Sequence, residues 1–118
     1  MKWFRQNRQK EIHVPNVTFL GEQDGEVEKE FKQRLLDRFA TSTTLHKAYL
    51  VRARYGESPE IKVVLALDAN AGGLVILRDR ASRVFAKMFN SETSLDILFL
   101  SDEQKQRISA VAKPFYQK

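Results

Sequence analysis

The 118-residue chain is 42% hydrophobic and 30% charged, with 5 Gly and 3 Pro, which fits one domain around one modest core and excludes a disordered, collagenous or low-complexity protein. It has no Cys, which removes disulfides, thiolate metal sites, iron–sulfur clusters and Cys nucleophiles together. Of the net charge of +5, Lys2, Arg5, Arg8 and Lys10 carry four positive charges, so the basicity belongs to a tail rather than to the folded surface that a nucleic-acid module would charge.

Residues 1–11 are therefore expected to form a basic flexible tail, and residues 12–118 a single domain. IHVPNVTFL at 12–20 is rich in β-branched residues, and Pro15 limits the regular strand to 16–20. Val17 and Phe19 share one face; Thr18 and Leu20 share the other. GEQDGE marks a turn, with Asp24 as the expected N-cap of a helix over 26–39. Val27, Phe31, Leu35, Leu36 and Phe39 recur at helical spacing, and Glu28 with Lys32 and Glu30 with Arg34 are supporting pairs one turn apart.

After the polar break TSTT, KAYLVRARY at 47–55 alternates. Tyr49, Val51, Ala53 and Tyr55 lie on one face; Ala48, Leu50, Arg52 and Arg54 lie on the other. Gly56-Glu57-Ser58-Pro59-Glu60 has the chemistry of a hairpin connection. Its second arm, IKVVLALD at 61–68, is apolar on both faces and reads as a central strand. In LVILRDRASRVFAKMF, Leu74, Leu77, Ala81, Val84, Phe85 and Met88 keep helical spacing long enough to predict one helix over 74–89. LDILFL at 95–100 is a fourth strand. Ser101 with Gln104 makes a capping box for a last helix that runs to Ala112, before Pro114 forces the chain out.

The predicted order is β-α-β-β-α-β-α. It is an α+β chain, read as a ferredoxin-like, antiparallel four-stranded sheet with two helices on one face and a short C-terminal helix. The opposite sheet face then carries a subset of Leu20, Leu50, Val64, Ala66, Leu98 and Leu100, too apolar to stay wet. Either the last helix with Phe115 and Tyr116 covers it, or a second chain does. Tyr49 is expected to stack near those two rings.

Chemistry-bearing motifs are sparse. His13 and His46 stand far apart without a ligand pattern, so no metal is expected. Asp68 and Asp96 interrupt apolar strands, the setting that raises a carboxyl pKa, but strand-end and edge placements account for them more simply. No GxSxG, P-loop or dinucleotide fingerprint is present, and Gly72-Gly73 reads as a turn before a helix. The central strand has no aromatic residue of the kind an RNA-binding sheet uses for stacking. No apolar run approaches the roughly 20 residues that span a bilayer, and MKWFRQNRQK lacks the apolar segment of a secretory signal, so a cytoplasmic location is expected.

HKAYLVRARYGESPEIKVVLALD, with Ala48, Tyr49 and Leu50, and LDILFLSDEQKQRISAVAKPFYQK, with Lys113, Pro114, Phe115 and Tyr116, together resemble the C-terminal domain of SseB, the enhanced serine sensitivity protein. NVTFLGEQDGEVEKEFKQRLLDRF resembles that domain's opening strand and helix, so the resemblance covers residues 16–118. It implies a bacterial, cytoplasmic α+β module with no catalytic residues to carry over. No cofactor is expected. Such proteins usually carry an N-terminal partner domain, whose place the basic tail is expected to take here.

A non-catalytic protein-interaction module follows as the leading expectation, binding a protein partner or a second copy through a sheet face or edge. Tyr49, Arg52, Arg54, Pro114, Phe115 and Tyr116 are its candidate binding residues. The alternatives are a small-ligand sensor for an amino acid or nucleotide near Asp68 and Gly72-Gly73, and nucleic-acid binding through the tail with Arg52 and Arg54. The missing aromatic platform argues against the last.

Overall fold

The computed structural model describes residues 16–89 and 95–118. The expected tail and His13 lie outside the described residues. The first strand, β1 (Val17–Glu22), continues two residues past its expected end by way of a bulge between Phe19 and Gly21. Gly21 has φ 151°, a value that disfavours side chains with a Cβ.

Helix α1 (Glu26–Phe39) buries Phe31, Leu35 and Phe39, four residues apart, while Val27 stays exposed. Its N-cap is Gly25 rather than Asp24. The Asp24 carboxylate instead lies 3.6 Å from the Lys32 ammonium, so Lys32 does not take up the expected pair with Glu28, which accepts a hydrogen bond from the Gln23 amide at 2.9 Å. The Glu30–Arg34 pair forms at 2.7 Å.

The long strand β2 (Leu45–Tyr55) turns at Gly56, φ 57°, into β3 (Lys62–Ala69), and the hairpin is antiparallel from Leu45↔Ala69 to Ala53↔Lys62. A 3₁₀ turn over Ala71–Gly73 leads into α2 (Leu74–Met88), which buries Leu77, Ala81 and Val84. A Cβ on Gly73 would collide with the Thr44 side chain, so this turn requires glycine for close approach. Strand β4 (Asp96–Phe99) follows, then α3 (Asp102–Ser109) and the two-residue β5 (Tyr116–Gln117).

The α+β class and the element order hold, but the sheet is mixed rather than antiparallel, and it is not ferredoxin-like. A split β-α-β unit needs a strand inserted between two parallel strands joined by a helix. Here β3 and β4, joined by α2, are direct parallel neighbours, Val64↔Asp96 to Leu67↔Phe99. β1 and β2, joined by α1, are direct antiparallel neighbours. The sheet order is β1-β2-β3-β4, with β5 also on β2. The reason is that an element string does not fix strand order: the same β-α-β-β-α-β sequence fits a sheet in which β2 lies between β1 and β3. β1 is six residues and β2 eleven, so β1 ends opposite Val51 and leaves the start of β2 unpaired on that side. The edge left open at Lys47 and Ala48 is filled by β5.

Two cores result. On one face α1 and α2 pack side by side, as expected, over Leu45, Ala48, Leu50, Leu65 and Leu67. On the other, Ile108 of α3 and Ala112 just beyond it lie over Val17, Phe19, Tyr49, Val51, Ala53, Val64 and Ala66, with Leu98 and Leu100 at the margin. Leu50, expected on the second face, belongs to the first. α3 begins with the expected capping box, Ser101 Oγ accepting from the Gln104 N–H at 3.2 Å and Gln104 Oε1 accepting from the Ser101 N–H at 2.9 Å. It ends at Ser109, earlier than expected, because the last turn tightens: the Ala110 N–H donates to Arg107 at 3.2 Å and the Val111 N–H to Ile108 at 3.1 Å.

The C-terminal aromatics do not cover the second face. Phe115 and Tyr116 join the helix-side core, and Tyr116 meets Phe39 edge-on with centroids 6.0 Å apart. Tyr49 lies on the opposite side of the sheet and does not stack with them. The tail is still a clasp within the chain: the Phe115 N–H donates to Ala48 at 2.8 Å and the Lys118 N–H to His46 at 3.0 Å.

Two outcomes follow from this packing. Deletion of residues 114–118 removes β5 and the Phe39–Tyr116 contact and should lower the urea-unfolding free energy by about 2–3 kcal/mol, the scale for large, half-buried aromatics; unchanged stability would show that the clasp is ornamental. Val64 is fully buried on a strand covered on both faces, so Val64→Asp should cost about 3–5 kcal/mol through an unpaired buried charge, whereas a near-wild-type melt would place Val64 at an open surface.

Candidate functional site

The six candidate binding residues separate into three places. Tyr49 is 2% exposed in the second core. Burial, and secondarily the charge of Asp68, raise its phenol pKa above the ordinary value. Arg52 and Arg54 are exposed on the helix side of β2, beyond the helices and beside β1. Pro114, Phe115 and Tyr116 are half-buried at the β2 edge. The sheet therefore separates Tyr49 from both other groups.

The groups expected around a small ligand are engaged in the fold. Asp68, near the end of β3, sits 3.1 Å from the Lys105 ammonium, and this contact is the main reason that the Lys105 pKa is raised. The Gly73 N–H donates to Asn70 at 3.1 Å. His46 lies on β2, exposed, with Nε2 3.0 Å from Asn70 Oδ1. Among the described residues no group of three His, Cys, Asp or Glu is placed to hold a metal ion, and no helix is long and apolar enough to cross a membrane.

A cleft of about 400 Å³ opens instead along the outer edge of β4. Its lining combines four successive residues, Leu95 to Leu98, with Arg78 and Ser82 from α2 and Tyr55 from β2. Such a wall, including residues of both parities, is what a free strand edge presents. The β3 register explains the geometry: Ile97 and Phe99 face the helices, while Asp96 and Leu98 face the second core.

On the second side, Tyr55 reaches beneath the sheet from β2, and its hydroxyl donates to Asp96 Oδ2 at 2.8 Å. Burial first, then the hydrogen bond and the charge of Asp96, push the Tyr55 phenol well above its ordinary range. On the helix side, the Arg78 guanidinium stands 5.4 Å from the centre of the Phe99 ring. Of the neighbouring arginines, Arg83 pairs with Asp79 at 2.9 Å and Arg80 donates to the Arg38 carbonyl at 3.2 Å. No carboxylate among the described residues pairs with Arg78.

The family described as the SseB protein C-terminal domain matches residues 20–118, from the middle of β1 to the last residue. The chain belongs to that family. No curated protein and no solved structure matches it. The match takes in every element after β1, so the β4 cleft, the Tyr55–Asp96 bond and the β5 clasp all lie within this SseB C-terminal domain.

Sequence reasoning placed Tyr55, Asp96 and Phe99 on strands but did not join them, because the contact between β2 and β4 depends on strand order. Arg78 carried no signal as one of several arginines on a helix; only the sheet edge beside it sets it apart.

Removing the Tyr55 hydroxyl, as Tyr55→Phe, should lower stability by about 1 kcal/mol near neutral pH, the usual worth of such a hydrogen bond. The advantage shrinks in alkali. The unfolded chain releases this proton near the ordinary value of 10.0 while the folded chain keeps it, so wild-type stability declines as pH rises past that point. The Phe variant has no such proton, and the difference between the two urea midpoints should shrink above pH 10. A difference that stays constant into alkali would show that the phenol has the same affinity for its proton in both states.

Proposed function

We propose that this SseB C-terminal domain is a non-catalytic protein-interaction module, and that its docking element is the outer edge of β4. The observation that supports this most is the disposition of the sheet's surfaces. α1 and α2 cover one face and α3 the other, so neither sheet face is on offer, and docking to the sheet itself is left to an edge. The β1 edge is blunted by its bulge at Gly21 and shared with β5 along β2. The β4 edge has an unbroken register with β3, and among the described residues it pairs with β3 alone. Strand addition at such an edge draws affinity from main-chain hydrogen bonds and specificity from alternate side-chain positions.

The test uses the full chain in its own cells, with a photo-crosslinking amino acid at the exposed cleft residue Ser82 or, as control, at exposed Lys29 on α1. The expected result is an adduct with one protein from Ser82 and none from Lys29. That protein, purified and added back, should slow amide exchange at residues 96–99 and leave β1 unchanged. Equal labelling at both positions, no adduct, or protection elsewhere would overturn the reading.

A further inference from the structure

Resting on that reading, we infer that the β4 edge takes an extended segment of a partner protein carrying an acidic side chain, and that Arg78 is the residue that selects it. A strand added beside β4 would lie about 4.8 Å away, and its side chains would alternate between the two sides of the sheet as those of β4 do. Positions beside Ile97 and Phe99 fall on the helix side, beneath Arg78 and Ser82. There the Arg78 guanidinium, packed over the Phe99 ring and without a carboxylate partner among the described residues, offers planar donors matched to a carboxylate. Ser82, one helical turn on, adds a hydroxyl. Positions beside Asp96 and Leu98 fall on the other side, where the Asp96 carboxylate, already bonded by Tyr55, repels a second acid.

The recognised pattern is therefore directional. An acid occupies a helix-side position, its immediate neighbours are not acidic, and apolar or hydroxyl residues fill the second-side positions. A second copy of the chain fits less well, because β4 has one acidic residue, Asp96, and it points to the second side, away from Arg78.

The probe is a displayed library of random heptapeptides selected on the full chain, scored for binders that slow amide exchange at residues 96–99. The expected result is enrichment of Asp or Glu at one position flanked by non-acidic residues. Affinity for a selected peptide should fall about two- to fivefold in Arg78→Gln, the range of one exposed charge pair, with the loss muted at high salt. Arg78→Lys should retain part of it, and Arg78→Glu should turn the selected preference to Lys or Arg. Arg78 is exposed, and equal melting temperatures establish that the variants fold. Binders that protect β4 without an acidic preference, or that ignore Arg78→Gln, would overturn the role of Arg78 and leave the edge as the docking element. Absence of any peptide that protects β4, or sedimentation showing β4 paired with a second copy, would overturn both.

Discussion

β2 makes three ladders at once, and the remaining architecture follows from its length. Its eleven residues pair along one side with β3 and along the other with β1 and then β5. A six-residue β1 cannot satisfy that second side. Unpaired backbone groups over Lys47 and Ala48 would remain, and the C-terminal segment supplies their partners. The last residues of the chain thus complete a sheet begun by the first described ones.

Burial of β2 and β3 on both faces calls for two covers of different kinds. The helix-side core is closed by two helices of 14 and 15 residues, with Phe31 against Phe85 and Phe89 at centroid distances of 5.8 Å. The second core has one eight-residue helix, too short to be stable alone. Its capping box and the burial of Ile108 hold it in place. At either end of this thinner layer a polar contact joins separate elements: Lys105 of α3 with Asp68 of β3, and Tyr55 of β2 with Asp96 of β4. Each carboxylate stands near one end of a largely apolar strand.

Local pattern was readable where side-chain period decided the outcome. The helices at Phe31-Leu35-Phe39 and Leu77-Ala81-Val84, the hairpin at Gly56, the central position of 61–68 and the Ser101 capping box all follow from spacing and turn chemistry. What misled was connectivity. The string β-α-β-β-α-β is shared by sheets of different strand order, and nothing local to β1 reports that it stops halfway along β2. The bulge at Gly21 and the tightened turn after Ser109 are likewise answers to neighbours. Phe115 and Tyr116 were recognisable as a clasp, but the face they choose is set by the pairing of Tyr116 with Ala48, a residue on the helix side.

The position of α3 bears most directly on function. The apolar face implied by Val64, Ala66, Leu98 and Leu100 suggested an interface, and α3 makes it a second core. Covering a face does not cover an edge. A helix packed over the sheet face does not hydrogen-bond the outermost strand's backbone, and among the described residues β4 pairs with β3 alone. Main-chain pairing is indifferent to sequence, so selectivity has to come from side chains at the rim, and here the two rims differ in sign. Arg78 stands on the helix side, while Asp96 on the other has its charge held by Tyr55. An edge with opposite charges on its two sides distinguishes one strand facing from the other, because reversing an added strand's faces would set its acid against Asp96. Charge on such a rim thus fixes register and facing more than raw affinity.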